Sequence, residues 1–340
     1  MTLHVVTPGA LTTVQDLGRQ GFRRHGIGPG GAMDSLSLRI ANLLVGNSHD
    51  AAGLEFTFLG PTLRFPHGCW VAVAGAAFEL TVTDGDGQRT SVPVGHLLWI
   101  PANATLTCGA ATAGCRGYLA VAGGIAVPMV LGGRGTDIRS GFGGWHGRPL
   151  RAGDAIPCGR STSQTLAEAS PMTPPPDRGR VKVDPRSASR KLLPRPTGLI
   201  RLIPGPEYDW LSASSLQRLV RQAFTVTPDS DRMGCRIAGP TLAGIEERMA
   251  GMVSQPVSSG TVQVPPSGQP IILLADHPTT GGYPRIGHVA SIDLPALGQA
   301  RPGDTLQFQI TAIPEAHALL FERESALERF RHGLLRGGLR

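Results

Sequence analysis

Lysine is almost absent from this chain. Only Lys182 and Lys191 occur in 340 residues, and both lie in one arginine-rich stretch. A Walker-type phosphate loop needs a lysine after its glycines, and a Schiff-base enzyme needs one in its pocket. A biotin carrier needs one on an exposed hairpin, so the folded parts lack the residue for all three chemistries. Cysteine is scarce and unpaired: Cys69, Cys108, Cys115, Cys158 and Cys235 include no Cys-x-x-Cys. That pattern gives neither a zinc knuckle nor a disulfide framework, and the five read as small buried thiols. Long apolar runs are missing too; those at 70–77 and 271–275 are too short to span a bilayer. The start, MTLHVVTPGA, has no basic region ahead of a long apolar stretch. The expectation is a cytoplasmic protein with no membrane association.

Glycine and proline are abundant instead, at 46 and 29 residues, and imply many turns between short strands. The length favours two domains over one core. The net charge of +7 suggests nucleic acid until it is located. Arg178 to Arg195 holds seven basic residues against Asp184, so the remainder is close to neutral. A basic connector without interleaved aromatics is a weak nucleic-acid signal, and no nucleic-acid partner is expected. This Pro/Ser/Arg-rich segment, 161–196, separates an N-terminal β domain (1–160) from a C-terminal β-barrel domain (197–340) that ends in a helix. Strands are expected in VAVAGAAFELTV, HLLWIP, GYLAVAGGI, LIRLIPG, TVQVP, PIILLAD and TLQFQI. Helices are expected from Ser35, capped by Asp34 or Ser35, and from about Pro314 to Gly333.

The halves share punctuation. Gly60-Pro-Thr-Leu63 recurs as Gly239-Pro-Thr-Leu242, and Arg151-Ala-Gly-Asp154 as Arg301-Pro-Gly-Asp304. Thr7-Pro-Gly9 and Ile203-Pro-Gly205 both follow an opening apolar strand. The same order in both halves favours two related β-barrel domains. The fold class is therefore mainly β, with two barrel-like domains and a few short helices.

Several loops carry polar groups. Gln15, Asp16 and Arg19 fall in one glycine-bounded turn, which is either an Asx-type turn or a site for a small amide or carboxylate. Gly26 to Asp34 leads into the first helix and is either an entry loop or an anion or carbonyl site. Gly132 to Gly144 lacks the Gly-Lys-Ser/Thr ending of a nucleotide loop. Arg134 and Arg139 in it can clamp a carboxylate, although a plain loop between strands explains it as well. In the second half, Ser230-Asp-Arg-Met-Gly234 again sets an acid beside an arginine and a glycine. Gln263 feeds a strand that ends at Asp276, followed by Thr279, Thr280, Gly281, Gly282 and Tyr283. His277 and His288 are too isolated to suggest a metal site.

TTVQDLGRQGFRRHGIGPGGAMD, LRIANLLVGN, YLAVAGGI, SDRMG, GTVQVPPSGQPIILLAD and TTGGYPRI resemble the family of 5-oxoprolinase C subunits. That family is also called allophanate hydrolase subunit 2, KipA or biotin-dependent carboxyltransferase. The resemblance implies cyclophilin-like barrels and a partner like KipI, the 5-oxoprolinase B subunit; the A subunit is a further candidate. It implies a small amide substrate: 5-oxoproline opened to glutamate with ATP hydrolysis at the level of the complex. The alternatives are carboxyl transfer to urea from carboxybiotin delivered by another protein, or a non-enzymatic antagonist of a histidine-kinase inhibitor. No cofactor would be covalently bound, and the chain would be inactive alone. On this reading Asp276 or Asp16 is the candidate base, and Thr279, Thr280 and Tyr283 stabilise an oxyanion. Arg19 or Arg232 clamps the substrate, with Gln15, Gln263, Gly281 and Gly282 beside it. The chain departs from the family in Gly132-Gly-Arg-Gly-Thr136, where many members carry two serines, and in Cys235, where many carry tyrosine. Its Asp276-His-Pro lead-in resembles urea-carboxylase-type members.

Overall fold

The computed structural model describes residues 1–159, 179–184 and 198–335. The expected 161–196 linker therefore lies largely outside the described residues. They divide into two compact units. The first holds Met1–Arg19, Asp34–Pro194 and Ser325–Arg340; the second holds Gln20–Met33 and Arg195–Glu324. Residues 20–33 thus belong to the unit built mainly from the C-terminal half.

The first unit is a ten-stranded sheet, branched at its long strands Cys69–Thr83 and Ala104–Val121. These two pair antiparallel from Val71↔Val121 to Thr83↔Thr105, with register shifts between Gly75 and Leu80. Their alternating Val, Leu and Ala residues bury one face with Leu3, Phe56, Leu63 and Phe65. Part of the basic stretch is ordered into this sheet, since Lys182–Asp184 pairs antiparallel with Leu97–Trp99. The helix Ser35–Leu44 packs on both long strands. Asp34 caps it by accepting from the Ser37 N–H at 2.9 Å, a contact that typically contributes about 1 kcal/mol. The buried Tyr118 hydroxyl accepts from the Asp34 N–H at 2.7 Å and donates to Glu55 at 2.8 Å, tying the cap to the sheet.

The second unit contains a closed seven-stranded barrel. Its spatial order is Leu199–Pro204, Arg285–Val289, Thr261–Gln263, Ile271–Leu273, Gly234–Ala238, Phe224–Val226 and Thr305–Ile310. The first and last strands close it in parallel, and the other neighbours are antiparallel. Closure removes every exposed strand edge. Ile200, Leu202, Phe224, Val262, Ile272, Ile286 and Phe308 fill the interior. The long C-terminal helix spans Ile313–Leu335.

The repeated Arg-x-Gly-Asp turn folds alike in both units. Asp154 accepts from the Arg151 N–H at 2.7 Å, and Asp304 from the Arg301 N–H at 2.8 Å. Gly153 and Gly303 take left-handed φ values of 88° and 92°, a conformation open to glycine at no steric cost. Each glycine N–H then donates to a strand carbonyl at 2.8 Å, that of Val5 in one case and of Val226 in the other.

Candidate functional site

The sequence-derived candidates fall into two sets, one in each unit. In the first unit, Gln15 closes the strand Leu11–Gln15, and Asp16 and Arg19 follow in its exit turn. Asp16 accepts from the Gly18 N–H at 2.8 Å, which is the Asx-type turn. Its other oxygen accepts from the Arg134 N–H. Arg19 is 2% exposed. It donates to the Gly135 carbonyl at 2.5 Å and lies 4.7 Å from the centre of the Phe142 ring. Gln15 donates to Thr13 at 3.1 Å and to the Thr136 carbonyl at 3.2 Å. The glycine-rich segment 132–144 is therefore laid over this turn. A Cβ on Gly135 would come within 2.9 Å of the Gln15 side-chain oxygen and 3.0 Å of Asp16. Arg134 turns away from the turn and donates through Nε to the Val127 carbonyl at 3.0 Å. Asp16 and Arg19 form no ion pair with each other among the described residues. Two polar atoms remain without partners inside this set, Gln15 Oε1 and Arg19 Nε.

The set in the second unit is built differently. The pairing Gly234↔Leu273 between the strands Gly234–Ala238 and Ile271–Leu273 runs on past their ends. The Leu274 N–H donates to the Met233 carbonyl at 3.0 Å, and the Asp276 N–H to the Arg232 carbonyl at 2.9 Å. This extension sets Arg232 beside Asp276, and the two side chains pair through both carboxylate oxygens, at 2.7 and 3.0 Å. Their side chains are 8% and 20% exposed. Arg232 also donates to the Gly31 carbonyl at 2.6 Å. The glycine loop before the first helix thus presents an acceptor here. Asp231, the acid adjacent in sequence, accepts instead from the Met233 and Gly234 N–H groups at 2.8 and 3.1 Å.

The residues after Asp276 are pinned along their length. His277 is 1% exposed, and its Nδ1 lies 2.6 Å from the Pro278 carbonyl, leaving Nε2 buried without a partner. Burial pulls its pKa below the usual imidazole value, and Arg23 adds to the effect; the Pro278 carbonyl and Asp276 work against it. Burial lowers His288 as well, aided by the charge of His277. Thr280–Gly281 pairs with Gln255–Pro256. Gly281 rests against the Gln263 amide, which a Cβ would meet at 2.5 Å, while that amide donates to the Tyr283 carbonyl at 3.1 Å. Glu207, which carries no motif, holds Arg285 through contacts of 2.9 and 3.1 Å. Burial raises the Glu207 pKa, but Arg285 outweighs it and holds the carboxyl below its usual range. Thr280, Gly282 and Tyr283 are exposed and Thr279 is half-buried. Their hydroxyls make no hydrogen bond among the described residues.

All five cysteines are buried and free. Burial pushes Cys108 up to about 12 and Cys158 up to about 11, which makes them poor nucleophiles at neutral pH. Among the described residues no group of three or more His, Cys, Asp or Glu is placed to hold a metal. No described helix is long and apolar enough to cross a membrane.

Comparison with known proteins agrees with the mainly β architecture. The family described as carboxyltransferase domain, subdomain A and B, matches residues 25–310. The chain is 38% identical over 314 residues to the C subunit of 5-oxoprolinase from Escherichia coli (strain K12), covering 92% of this chain and 93% of that protein. It is 37% identical over 322 residues to the corresponding 5-oxoprolinase C subunit of Haemophilus influenzae, covering 94% of each. The crystal structure of Kluyveromyces lactis urea carboxylase matches 97% of this chain at a TM-score of 0.84 and 30% identity. There the chain corresponds to 29% of the larger protein.

Proposed function

Because the chain belongs to the carboxyltransferase domain family of subdomains A and B, we propose that it is the C subunit of a 5-oxoprolinase. It acts with partners equivalent to the B and A subunits to open 5-oxoproline to glutamate at the expense of ATP. The observation that carries this reading is the 38% identity extending over nearly the whole of both chains. One member of such a complex needs neither a P-loop nor a biotinyl lysine of its own, consistent with a chain whose two lysines lie outside the motifs.

In this proposal the second unit holds the reacting amide. The ion pair with Asp276 fixes the Arg232 guanidinium at the edge of the loop 276–283. The free hydroxyls of Thr279, Thr280 and Tyr283 donate to the oxyanion that develops as the amide carbonyl is attacked. Asp276 has both oxygens on Arg232, so its part is to orient the guanidinium. The cluster in the first unit, with Asp16 spent on two backbone N–H groups, shapes the loop 132–144. The chain supplies binding and positioning, and turnover requires its partners.

A second reading is a component that moves a carboxyl group from carboxybiotin to a small amide. The structural match to urea carboxylase over 97% of the chain favours it. Reconstitution separates the two. Combined with its B-type and A-type partners, the chain is expected to convert 5-oxoproline to glutamate only when ATP is supplied. Carboxylation of urea by carboxybiotin, with no lactam turnover, would establish the second reading instead.

A further inference from the structure

On the outer face of the barrel, a cavity of about 380 Å³ lies over the paired residues Arg236 and Ile271. That volume falls in the range of small-molecule pockets, roughly 300–1,000 Å³. Strand alternation decides what faces it. In Gly234–Ala238, residues 235 and 237 point into the barrel, and Arg236 points out. The turn after Phe224–Val226 supplies Thr227 and Asp229, and the loop 276–283 supplies Tyr283. The turn is locked to the strand by the backbone: Thr227 N–H donates to the Arg236 carbonyl at 2.9 Å. Ser230 Oγ accepts from the Arg236 N–H at 3.0 Å. Asp229 and Arg236 are thereby held on one rim.

The polar groups in this cavity are unspent. Neither the Arg236 guanidinium nor the Asp229 carboxylate forms an ion pair or hydrogen bond among the described residues. The Tyr283 phenol is likewise without a partner. Thr227 Oγ1 has none either, but it is buried out of reach of the cavity. By contrast, the Gln269 amide is used up, accepting from the Gly239 N–H at 2.8 Å and donating back to its carbonyl at 3.3 Å. A guanidinium, a carboxylate and a phenol, each without a partner among the described residues and set around an aliphatic floor, are complementary to one kind of molecule. It is a small aliphatic acid that carries both a carboxylate and an N–H donor.

We propose that this cavity is a binding site for a small carboxylic acid bearing an N–H group. Arg236 takes the carboxylate, Asp229 accepts from the N–H, and Tyr283 completes the contacts. Two molecules of this chemistry follow from the proposed function, and the choice of probe rests on that reading: the lactam acid 5-oxoproline and the amino diacid L-glutamate. Titration calorimetry on the full chain with each, and with 2-pyrrolidinone as a lactam lacking the carboxylate, tests the assignment. One of the two acids is expected to bind with one-to-one stoichiometry and 2-pyrrolidinone is not. Arg236→Ala is expected to weaken that binding at least tenfold. Asp229→Asn weakens L-glutamate, with its ammonium group, more than 5-oxoproline, so it tells which acid the site was built for. Binding of neither acid at millimolar concentration, or binding unchanged in Arg236→Ala, overturns the assignment. Acid binding that depends on Arg236 in a chain whose complex lacks lactam turnover upholds the pocket and removes the proposed function; turnover without such binding does the reverse.

Discussion

The two units each place an acid, an arginine and glycines in one turn, and they use them in opposite ways. In the first unit Asp16 and Arg19 ignore each other. The acid collects backbone N–H groups, and the arginine reaches a carbonyl and an aromatic ring. In the second unit Arg232 and Asp276, 44 residues apart, meet through two hydrogen bonds at the end of a ladder. Sequence proximity of opposite charges is thus a poor guide to pairing. Backbone groups at a strand exit compete for a carboxylate, and the partner that wins is the one the ladder delivers. Asp231 makes the same point, since it sits next to Arg232 and caps its own turn.

The contrast has consequences that rank by size. Gly144→Ala should damage the first unit most, because φ is +51° and the new Cβ would lie 1.9 Å from Thr136 Oγ1. Strain and overpacking together should cost about 3–5 kcal/mol in chemical denaturation. Arg232→Ala leaves the carboxylate of Asp276 and the Gly31 carbonyl without their donor. Breaking a buried pair costs roughly 3–5 kcal/mol, and the 20% exposure of Asp276 reduces that to about 2–4 kcal/mol. Arg232→Lys should recover little, since an ammonium cannot reproduce the two-pronged contact. Asp16→Ala orphans two backbone N–H groups, and a loss of about 2–3 kcal/mol is expected, confined to the first unit in hydrogen exchange.

Acid should separate the units by smaller amounts. The folded-state pKa of His277 and of His288 lies below its unfolded value. Their contribution to stability is therefore complete above about pH 6.5 and falls as pH drops through that value. The second unit should lose protection first, in mild acid. In the first unit, Arg148 and the Arg151 N–H hold Asp154 down at about 2, against burial. That contribution, about 1–2 kcal/mol, persists above pH 4 and is lost between pH 4 and pH 2. Hydrogen exchange at pH 7, 5 and 3 should show these two windows in that order, and Asp154→Asn should flatten only the lower one.

Much of the scaffold is legible in the sequence because it rests on local signals. Alternating Val, Ile and Leu mark the strands, Asp34 marks the helix start, and the Arg-x-Gly-Asp repeats mark equivalent turns in both units. The assignment of residues 20–33 to the second unit is not legible, because it depends on tertiary contacts of a glycine-rich segment that has no periodicity. The candidate site is legible as a set of residues and not as a set of bonds. Asp276 and Arg232 stand in separate motifs, and only the extended ladder joins them. Glu207 and Arg236 give no sequence signal because a single charge on a strand or turn carries no pattern; the functional clue lies in what each faces. His277, isolated in the sequence, is buried beside the pair.

Turnover measured against stability for two conservative changes, Arg232→Lys and Arg19→Lys, in the reconstituted complex separates the roles of the two clusters. If the second unit carries the chemistry and the first shapes a loop, Arg232→Lys lowers 5-oxoproline turnover per folded molecule at least tenfold. Arg19→Lys then lowers the melting temperature while leaving turnover per folded molecule within about twofold. The opposite pattern, with turnover lost at Arg19 and kept at Arg232, would place the reacting amide in the first unit and contradict this division of roles.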